Sequence, residues 1–365
     1  MKIAIVKFHA LGDMVMASGA FNMLRQSFPE AEITLFTYQE CQEIVKHNPD
    51  ISKFILVPAS IFKGFNILFK LPFILLAWRK KKYDLVVSFQ VSRIANLMAK
   101  ILKADKYIIP GEDELKSIVS AKRDAVARGS NHYLRLHPAI SKAAINKLGR
   151  KFSGDIPAPS LQVCKQAYGE VSKLLRDYSF DLGEYMAIFP GGGKNIGEQT
   201  DIRQYPAMAQ AIKKAVEKCQ TLPIIILGGK YDYKPCNEIE RALPKNTKYL
   251  NLQGQTSLQK FIALIDGAGF LLTVDSSALH IGSARKKPII AIFGPTDYKE
   301  KVYPHSDTFV FSSQQSPSYF GKFKGDPILA RKSFVSIKPE VVADKIIEYY
   351  TKYIKKAIDY AKNNF

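Results

Sequence analysis

The chain has 365 residues, of which 53 are Lys or Arg and 33 are Asp or Glu, so its formal net charge is +20 at neutral pH. Hydrophobic residues make up 47% and charged residues 24%, a composition that excludes a disordered chain, and the length allows two domains that each bury a core. The positive surplus predicts an anionic membrane surface or a phosphorylated or acidic small molecule as partner. Nucleic acid is not expected, because the sequence has no helix-turn-helix, zinc finger, RNP aromatic motif or long arginine-rich arm.

Strands and helices alternate through the first part of the chain. The pattern predicts strands at residues 2–7, 33–37, 54–57, 85–89 and 107–109, and helices at 14–28, 39–47 and 92–102. Such alternation is typical of a parallel sheet with helices on both faces. Gly12 and Asp13 lie in a tight turn after the first strand, where Asp13 is either a general base or substrate anchor, or simply the helix N-cap.

Residues 60–82 interrupt this alternation with a basic and aromatic segment. It has six Lys or Arg, no acid, and the aromatic residues Phe62, Phe65, Phe69, Phe73 and Trp78. One interpretation is a surface that docks on an anionic membrane, with aromatic rings at the headgroup boundary and cations against the lipid. The alternative is a buried crossover helix broken at Pro72, with a solvated basic end.

A second basic stretch covers residues 111–152. Its cationic and titratable side chains are Lys122, Arg123, Arg128, His132, Arg135 and His137. The stretch is either an acceptor-binding loop and helix for an acidic substrate or an ordinary solvated helix face. Residues 154–159 (GDIPAP) then have the composition of a linker.

The second part of the chain repeats the alternation. We expect strands at 186–189, 224–227, 270–274 and 289–292, and helices at 165–178, 206–219, 236–243, 258–268, 278–285 and 339–363. Two doubly wound α/β halves follow from this pattern.

A glycine-rich loop follows the first strand of the second half and consists of Gly191, Gly192, Gly193 and Lys194. Glycines after a strand let backbone N–H groups approach phosphate oxygens, so this loop is a candidate phosphate cradle. It is not a Walker A loop, because Asn195 follows the lysine and the glycine spacing differs. Residues 267–269 (GAG) are not a dinucleotide fingerprint either, because they precede a strand.

The stretch from Phe270 to Thr296 predicts a strand-helix-strand unit with Asp275 and Ser276 at its turn. Open parallel sheets bind nucleotides and phosphates at such a turn, because the free N–H groups and the dipole of the following helix favour anions. The alternative is that Asp275 or Ser276 only caps the helix.

We expect no metal site, disulfide framework or membrane span. The four cysteines are widely separated, without a CxxC pair, and no Asp-x-Asp pair offers ligands for a divalent metal. The N-terminal apolar run is too short for a secretory signal, and no run reaches the roughly 18 residues that span a bilayer. A cytoplasmic protein is therefore expected.

Three motifs, taken together, resemble a known family. They are KFHALGDMVMASGAFNMLRQSFPEAEITLF near the start, FPGGG followed by RQYP in the middle, and VDSSALHIGSARKKPIIAIFGPTD near the end. The chain is similar to glycosyltransferase family 9, the ADP-heptose:lipopolysaccharide heptosyltransferases. The resemblance implies an α/β GT-B fold with two Rossmann-like doubly wound parallel-sheet domains facing a central cleft. Residues 1–165 would bind the acceptor, 166–338 would bind the nucleotide-sugar, and 339–365 would form a helix that crosses back to the first domain.

The resemblance also implies roles for individual residues. Asp13 matches the family's proposed catalytic aspartate, which would deprotonate the acceptor hydroxyl for an inverting displacement at the anomeric carbon. Arg203 falls where the family has a cation near the donor phosphates, in place of a metal ion. With the glycine-rich loop, the expected donor-binding residues are Gly191, Gly192, Gly193, Lys194, Arg203, Thr256, Asp275, Ser276, Ser277 and His280. With the basic stretch, the expected acceptor-binding residues are Gly12, Arg123, Arg128, His132 and Arg135.

The chain departs from the family pattern at three places. Ser277 replaces a glycine that is usual in the donor motif, His9 stands where a serine is common, and the insertion between Gly193 and Arg203 is longer than expected.

The expected function is metal-independent, inverting transfer of heptose from ADP-heptose to an acidic, lipid-linked lipopolysaccharide core acceptor, without a cofactor. The protein would associate peripherally with the inner face of the inner membrane through residues 60–82. Two alternatives stay open: a GT-B-fold transferase or epimerase that uses another nucleotide-sugar, and a non-catalytic membrane-associated homologue.

Overall fold

A computed structural model describes residues 1–58, 78, 81–110, 132–191, 203–303, 307–313, 332–356 and 358. The chain divides into two units, Met1–Gln162 and Val163–Phe365. The sequence placed this boundary at residues 165 and 166. Each unit has its own parallel sheet and core, and each is described by itself below.

The first unit contains a five-stranded parallel sheet in the order β3-β2-β1-β4-β5. Its strands are β1 (Lys2–Val6), β2 (Glu32–Thr37), β3 (Lys53–Leu56), β4 (Lys82–Ser88) and β5 (Lys103–Ile108). The central strand β1 pairs with β2 and β4, with Val6 opposite both Phe36 and Ser88. All three strands therefore end at one edge of the sheet, and the loops that follow them start there.

Four helices are described in the first unit: α1 (Leu11–Ser27), α2 (Gln39–Val45), α3 (Arg93–Ile101) and α4 (His132–Lys147). Helix α1 packs along α4, and the buried Ser141 hydroxyl donates to the Ala20 carbonyl at 2.7 Å. Arg25 binds the chain that leaves α1, because its guanidinium donates to the carbonyls of Pro29 and Ala31 at 2.6 and 2.9 Å.

The proposed linker at residues 154–159 packs against α1. A Cβ atom on Gly19 would lie 2.2 Å from the Pro157 carbonyl oxygen, so only glycine allows this close approach. The Ser160 N–H also donates to the Ser18 hydroxyl at 2.8 Å. The segment has no regular secondary structure and ends shortly before the boundary between the two units, which is compatible with a linker, but it packs on α1, which offers it a glycine and a hydroxyl.

Trp78 is a core residue. Its side chain is 8% exposed and belongs to the apolar cluster that contains Phe36, Tyr83 and Met98. The Trp78 and Phe36 rings meet edge to face at 5.4 Å. Trp78 is therefore not available to a membrane interface, and at this position the buried interpretation of residues 60–82 holds. Residues 60–77, 79 and 80 lie outside the described part of the chain.

The second unit contains a six-stranded parallel sheet in the order β11-β10-β9-β6-β7-β8. Its strands are β6 (Met186–Phe189), β7 (Ile224–Ile226), β8 (Tyr249–Asn251), β9 (Phe270–Val274), β10 (Ile289–Phe293) and β11 (Thr308–Ser312). The sequence pattern missed β8 and β11. Both are partly exposed edge strands, and neither has the continuous apolar run of a strand buried on both faces.

The helices of the second unit are α5 (Lys165–Asp177), α6 (Met208–Lys218), α7 (Tyr233–Ala242), α8 (Leu258–Asp266), α9 (Ser277–Ala284) and α10 (Pro339–Tyr350). Helix α10 continues into a π-helical turn, Thr351–Lys355. None of the helices in the described residues is both long and apolar enough to span a bilayer.

The described part of the last helix packs within the second unit. Val342, Ala343 and Ile346 are buried in the same cluster as Ile212 of α6, and Lys218 pairs with Asp344 at 2.8 Å. A crossing of the chain end back to the first unit stays a prediction.

Replacement of Trp78 by alanine tests its burial. Because the change removes a large buried ring, we expect the free energy of unfolding to fall by about 3–5 kcal/mol in a urea titration followed by circular dichroism. The control is Leu97→Ala on α3, where the side chain is 57% exposed; its effect should be small. Trp78 is the one tryptophan, so its fluorescence should be that of a buried indole and should not change with anionic vesicles. An equal loss of stability in both variants would contradict the assignment.

Candidate functional site

Asp13 lies at the edge of the first sheet where β1 ends. Helix α1 begins at Leu11, with Ala10 as its N-cap residue, so Asp13 is the third residue of the helix. The alternative that Asp13 is the N-cap is therefore wrong. A half-buried carboxylate in the first turn is compatible with the positive end of the helix dipole, and Gly12 beside it is half-buried as well.

Lys7 gives this edge a buried positive charge. Its side chain is 2% exposed. Burial lowers the pKa of His9, and the charge of Lys7 lowers it further, whereas Asp13 raises it. Burial raises the pKa of the Cys41 thiol to about 12, with Lys7 acting against and Asp13 in favour of this shift. Lys7, His9, Asp13 and Cys41 thus share one electrostatic environment, with a neutral thiol.

The basic stretch is only partly described. Arg123 and Arg128 lie outside the described residues, and of His132 only the backbone at the start of α4 is described. Arg135 is exposed on α4. His137 is 1% exposed, and its ring lies 6.0 Å from that of Phe89, so it belongs to the core and not to an exposed cationic surface.

The turn between β9 and α9 gathers four of the predicted donor-binding residues. Asp275, Ser276 and His280 are 5%, 4% and 6% exposed, and Ser277 is half-buried as the first residue of α9. Ser276 is the N-cap residue, but its side chain makes no capping hydrogen bond. Its hydroxyl is 3.0 Å from that of Thr273, which donates to the Phe189 carbonyl at 3.2 Å. The interpretation that Ser276 simply caps the helix is wrong.

The glycine-rich loop starts on the neighbouring strand. β6 pairs with β9, with Phe189 opposite Thr273, so Gly191 and Asp275 both follow strands that end at the same edge. Gly192, Gly193 and Lys194 lie outside the described residues. Arg203 and Thr256 are half-buried in loops before α6 and after β8.

Asp232 supports the described start of the glycine-rich loop, and the sequence reading missed it. A Cβ atom on Gly191 would lie 1.8 Å from Asp232 Oδ1. The other carboxylate oxygen, Oδ2, accepts the Gly229 N–H at 2.8 Å, and the side chain is 3% exposed. The Gln253 amide donates to the Gly229 carbonyl at 2.7 Å. One buried carboxylate therefore positions two glycine turns, those after β6 and β7. The signal in the sequence was an aspartate three residues after Gly229, the second glycine of the turn that follows β7.

No cluster of three or more His, Cys, Asp or Glu side chains that could hold a metal ion occurs among the residues the structure describes.

The model of the family "Glycosyltransferase family 9 (heptosyltransferase)" matches residues 76–322. The chain belongs to glycosyltransferase family 9. It is therefore a glycosyltransferase, of the family whose curated members include the heptosyltransferases of lipopolysaccharide synthesis.

Relatives of this family 9 protein match along nearly all of its length. The lipooligosaccharide heptosyltransferase 2 of Haemophilus influenzae is 24% identical over 360 residues, which are 96% of this chain and 100% of the relative. Among solved structures, a family 9 glycosyltransferase from Veillonella parvula superposes with a TM-score of 0.71 at 16% identity, covering 96% of each chain. The Escherichia coli ADP-heptose lipopolysaccharide heptosyltransferase II superposes with a TM-score of 0.66 at 19% identity, covering 96% of this chain and 99% of that one. These likenesses confirm the GT-B fold class.

Gly191→Ala tests the support of the glycine-rich loop. The new methyl group would overlap the Asp232 carboxylate, so the loop or Asp232 must shift. We expect binding of ADP, measured by calorimetric titration, to weaken by about tenfold or more, which is about 1.4 kcal/mol. The matched control is Gly169→Ala within α5, where nothing lies within 4 Å of the added methyl; it should leave binding unchanged and stabilise the helix slightly.

The variant Gly191→Ala/Asp232→Ala removes the overlap as well as the support. If the overlap with the Asp232 carboxylate causes the loss of ADP binding, then adding Asp232→Ala to Gly191→Ala should weaken binding by less than Asp232→Ala does in the wild-type protein. Normal ADP binding by Gly191→Ala would contradict the role given to this contact.

Proposed function

We propose that this protein transfers heptose from ADP-heptose to an acidic saccharide of the lipopolysaccharide core, with inversion at the anomeric carbon and without a metal ion. The observation that carries the proposal is the pair of sites at the carboxyl edges of the two sheets: Asp13 in the first turn of α1, and the buried Asp275, Ser276 and His280 at the start of α9. The name of the E. coli relative supports ADP-heptose as donor.

Asp13 acts as the general base. Its carboxylate accepts the proton of the acceptor hydroxyl while that oxygen bonds to the anomeric carbon of the heptose. The bond from the anomeric carbon to the diphosphate oxygen breaks on the opposite face, and its electron pair leaves with ADP. The half-exposed position of Asp13 at the end of β1 suits this role, because a base must reach a bound hydroxyl.

The donor-binding residues divide by charge. Asp275 is a buried carboxylate, which would repel a phosphate but accept hydrogen bonds from sugar hydroxyls, so we assign it to the hydroxyl groups of the donor. Ser276, Ser277, His280 and the first N–H groups of α9 face the diphosphate. Arg203 and Lys194 balance the charge that grows on the leaving diphosphate. Gly191, Gly192 and Gly193 let the backbone come close to it, and Thr256 contacts the nucleotide.

The acceptor belongs to the first unit in this proposal. Gly12 places no side chain next to Asp13, and Arg123, Arg128, His132 and Arg135 attract the acidic groups of a lipid-linked saccharide. The net charge of +20 supports peripheral association with the inner face of the inner membrane, because a basic protein is drawn to anionic lipid.

Asp13→Asn tests the base. The amide keeps the shape of the side chain but cannot take a proton, so we expect kcat for transfer from ADP-heptose to de-acylated core saccharide to fall about 10²–10⁴-fold, with ADP binding unchanged. The matched control is Asp84→Asn at the start of β4, where the carboxylate accepts the Lys2 N–H at 2.6 Å; it should retain activity. Wild-type turnover in Asp13→Asn would remove the base from the mechanism.

Asp275→Ala tests the donor site. We expect wild-type protein without divalent metal to bind ADP in preference to UDP, GDP and CMP in calorimetric titrations, and Asp275→Ala to bind ADP about tenfold or more weakly, because an anchor for hydroxyl groups is lost. Asp344→Ala, which removes an exposed ion pair with Lys218, is the control and should bind normally. A preference for UDP or GDP would retain the fold and contradict ADP-heptose as donor.

A further inference from the structure

Three aromatic rings lie together at the carboxyl edge of the first sheet. Phe8 and His9 follow β1 after Lys7, and Tyr38 directly follows β2 as the N-cap residue of α2. β1 and β2 are parallel, and Val6 lies opposite Phe36, so both loops leave the sheet at the edge where Asp13 begins α1.

The rings are stacked nearly parallel. The Tyr38 ring lies 5.2 Å from Phe8 at an interplanar angle of 14°, and 6.1 Å from His9 at 23°. Core pairs of the same unit meet edge to face, for example Phe21 and Phe89 at 78°. Both arrangements are favourable for aromatic pairs; in a stack the meeting faces cover one another, so a ligand can reach only the outward faces and the edges.

Exposure separates the role of each ring. Phe8 is 1% exposed and supports Tyr38 from within the core, Tyr38 is half-buried, and His9 is exposed. The His9 side chain therefore adds little to the core, although its main-chain N–H is within 3.4 Å of the Gln90 side-chain oxygen. An exposed ring held in a stack beside a catalytic carboxylate is suited to binding a ligand.

Both accessible rings are electrically neutral near pH 7. Part of the His9 ring is shielded from water although the residue is exposed overall, and this partial burial, followed by the charge of Lys7, lowers the pKa of His9, whereas Asp13 raises it. Burial, and then Cys41, raise the pKa of the Tyr38 phenol. A neutral aromatic face has the partial negative charge that attracts polarised C–H groups, and the imidazole and phenol edges can hydrogen-bond hydroxyls. A pyranose ring offers this combination, with C–H groups on its face and hydroxyls at its rim.

We propose that the stacked His9 and Tyr38 rings bind the pyranose ring of the acceptor saccharide and hold one of its rim hydroxyls against Asp13. This inference rests on the proposed transfer reaction, which places the acceptor at Asp13. It assigns to His9 and Tyr38 the binding of an uncharged sugar face, a task that the cationic residues of the basic stretch cannot perform.

Kinetics of ring-removing and ring-preserving variants test this platform. We expect His9→Ala and Tyr38→Ala to raise the KM for de-acylated core saccharide about fivefold to tenfold, the equivalent of one aromatic contact, with ADP affinity unchanged. His9→Phe and Tyr38→Phe should raise the KM less than the alanine variants do, because a stacked ring remains although the edge that hydrogen-bonds a hydroxyl is lost. Tyr178→Ala removes a 56% exposed ring of the second unit and should change neither the acceptor KM nor the ADP affinity.

Since His9 is exposed, His9→Ala should also keep the melting temperature of the wild-type protein. Unchanged acceptor KM in both alanine variants of an active enzyme would overturn the platform.

A binding experiment separates this inference from the transfer reaction. Aromatic protons of the protein are saturated selectively in an NMR experiment, and transfer to the C–H protons of methyl α-D-mannopyranoside is recorded. Saturation transfer to the sugar in wild type and in Tyr178→Ala, but not in His9→Ala/Tyr38→Ala, supports the platform. It does so even if the enzyme turns over no ADP-heptose, because that failure would refute only the proposed function. Equal transfer in all three proteins, or none in wild type, would overturn the platform.

Discussion

The uniform direction of the strands is the constraint on which both sites depend. Every described strand in each sheet runs parallel to its neighbours, so the loops after the strands leave at one edge, and the residues in those loops meet although they are far apart in sequence. Gly191 and Asp275 are 84 residues apart, yet Phe189 at the end of β6 pairs with Thr273, one residue before the end of β9. Helices that start at such an edge add N–H groups directed at the same place. Sites at these positions are consequences of the architecture, and the side chains decide only their chemistry.

The cost of this arrangement is the burial of polar groups at the edge. Asp275, Ser276 and His280 are each at most 6% exposed, and in the first unit Lys7 is a buried cation. Burying such groups is unfavourable unless partners compensate for lost water. The Ser276 hydroxyl has Thr273, and Asp232 has the Gly229 N–H. These contacts fix the turns in one conformation before substrate arrives, so that little ordering has to be done on binding.

The sequence predicted features that are local along the chain. The alternation gave most strands and helices, and the adjacency of Asp13 to the first strand and of Asp275 to β9 needed only a few consecutive residues. What it missed depends on contacts between distant residues. Asp232 matters because it touches Gly191, 41 positions earlier, and Tyr38 matters because it stacks on Phe8 and His9 of another loop. The exposed edge strands β8 and β11 were missed because their short, mixed sequences have no distinct period. Trp78 was assigned to a surface because its basic neighbours dominate the local composition, whereas its ring packs on Phe36.

The overall charge of this protein and the charge of the side chains given the central roles in the proposed reaction have opposite signs. The chain carries +20, but the side chains given the central roles at both edges, Asp13, Asp232 and Asp275, are carboxylates. A long-range positive field raises the encounter rate with anionic donors and acceptors without selecting a reaction. In the proposed reaction, Asp13 and Asp275 act at contact distance, on a proton and on hydroxyl groups. Lys7 adds a buried amine at the edge of the first sheet, and its effect on the pKa of His9 is opposite to that of Asp13. In the proposed reaction, attraction over distance and chemistry at contact are therefore carried by different side chains.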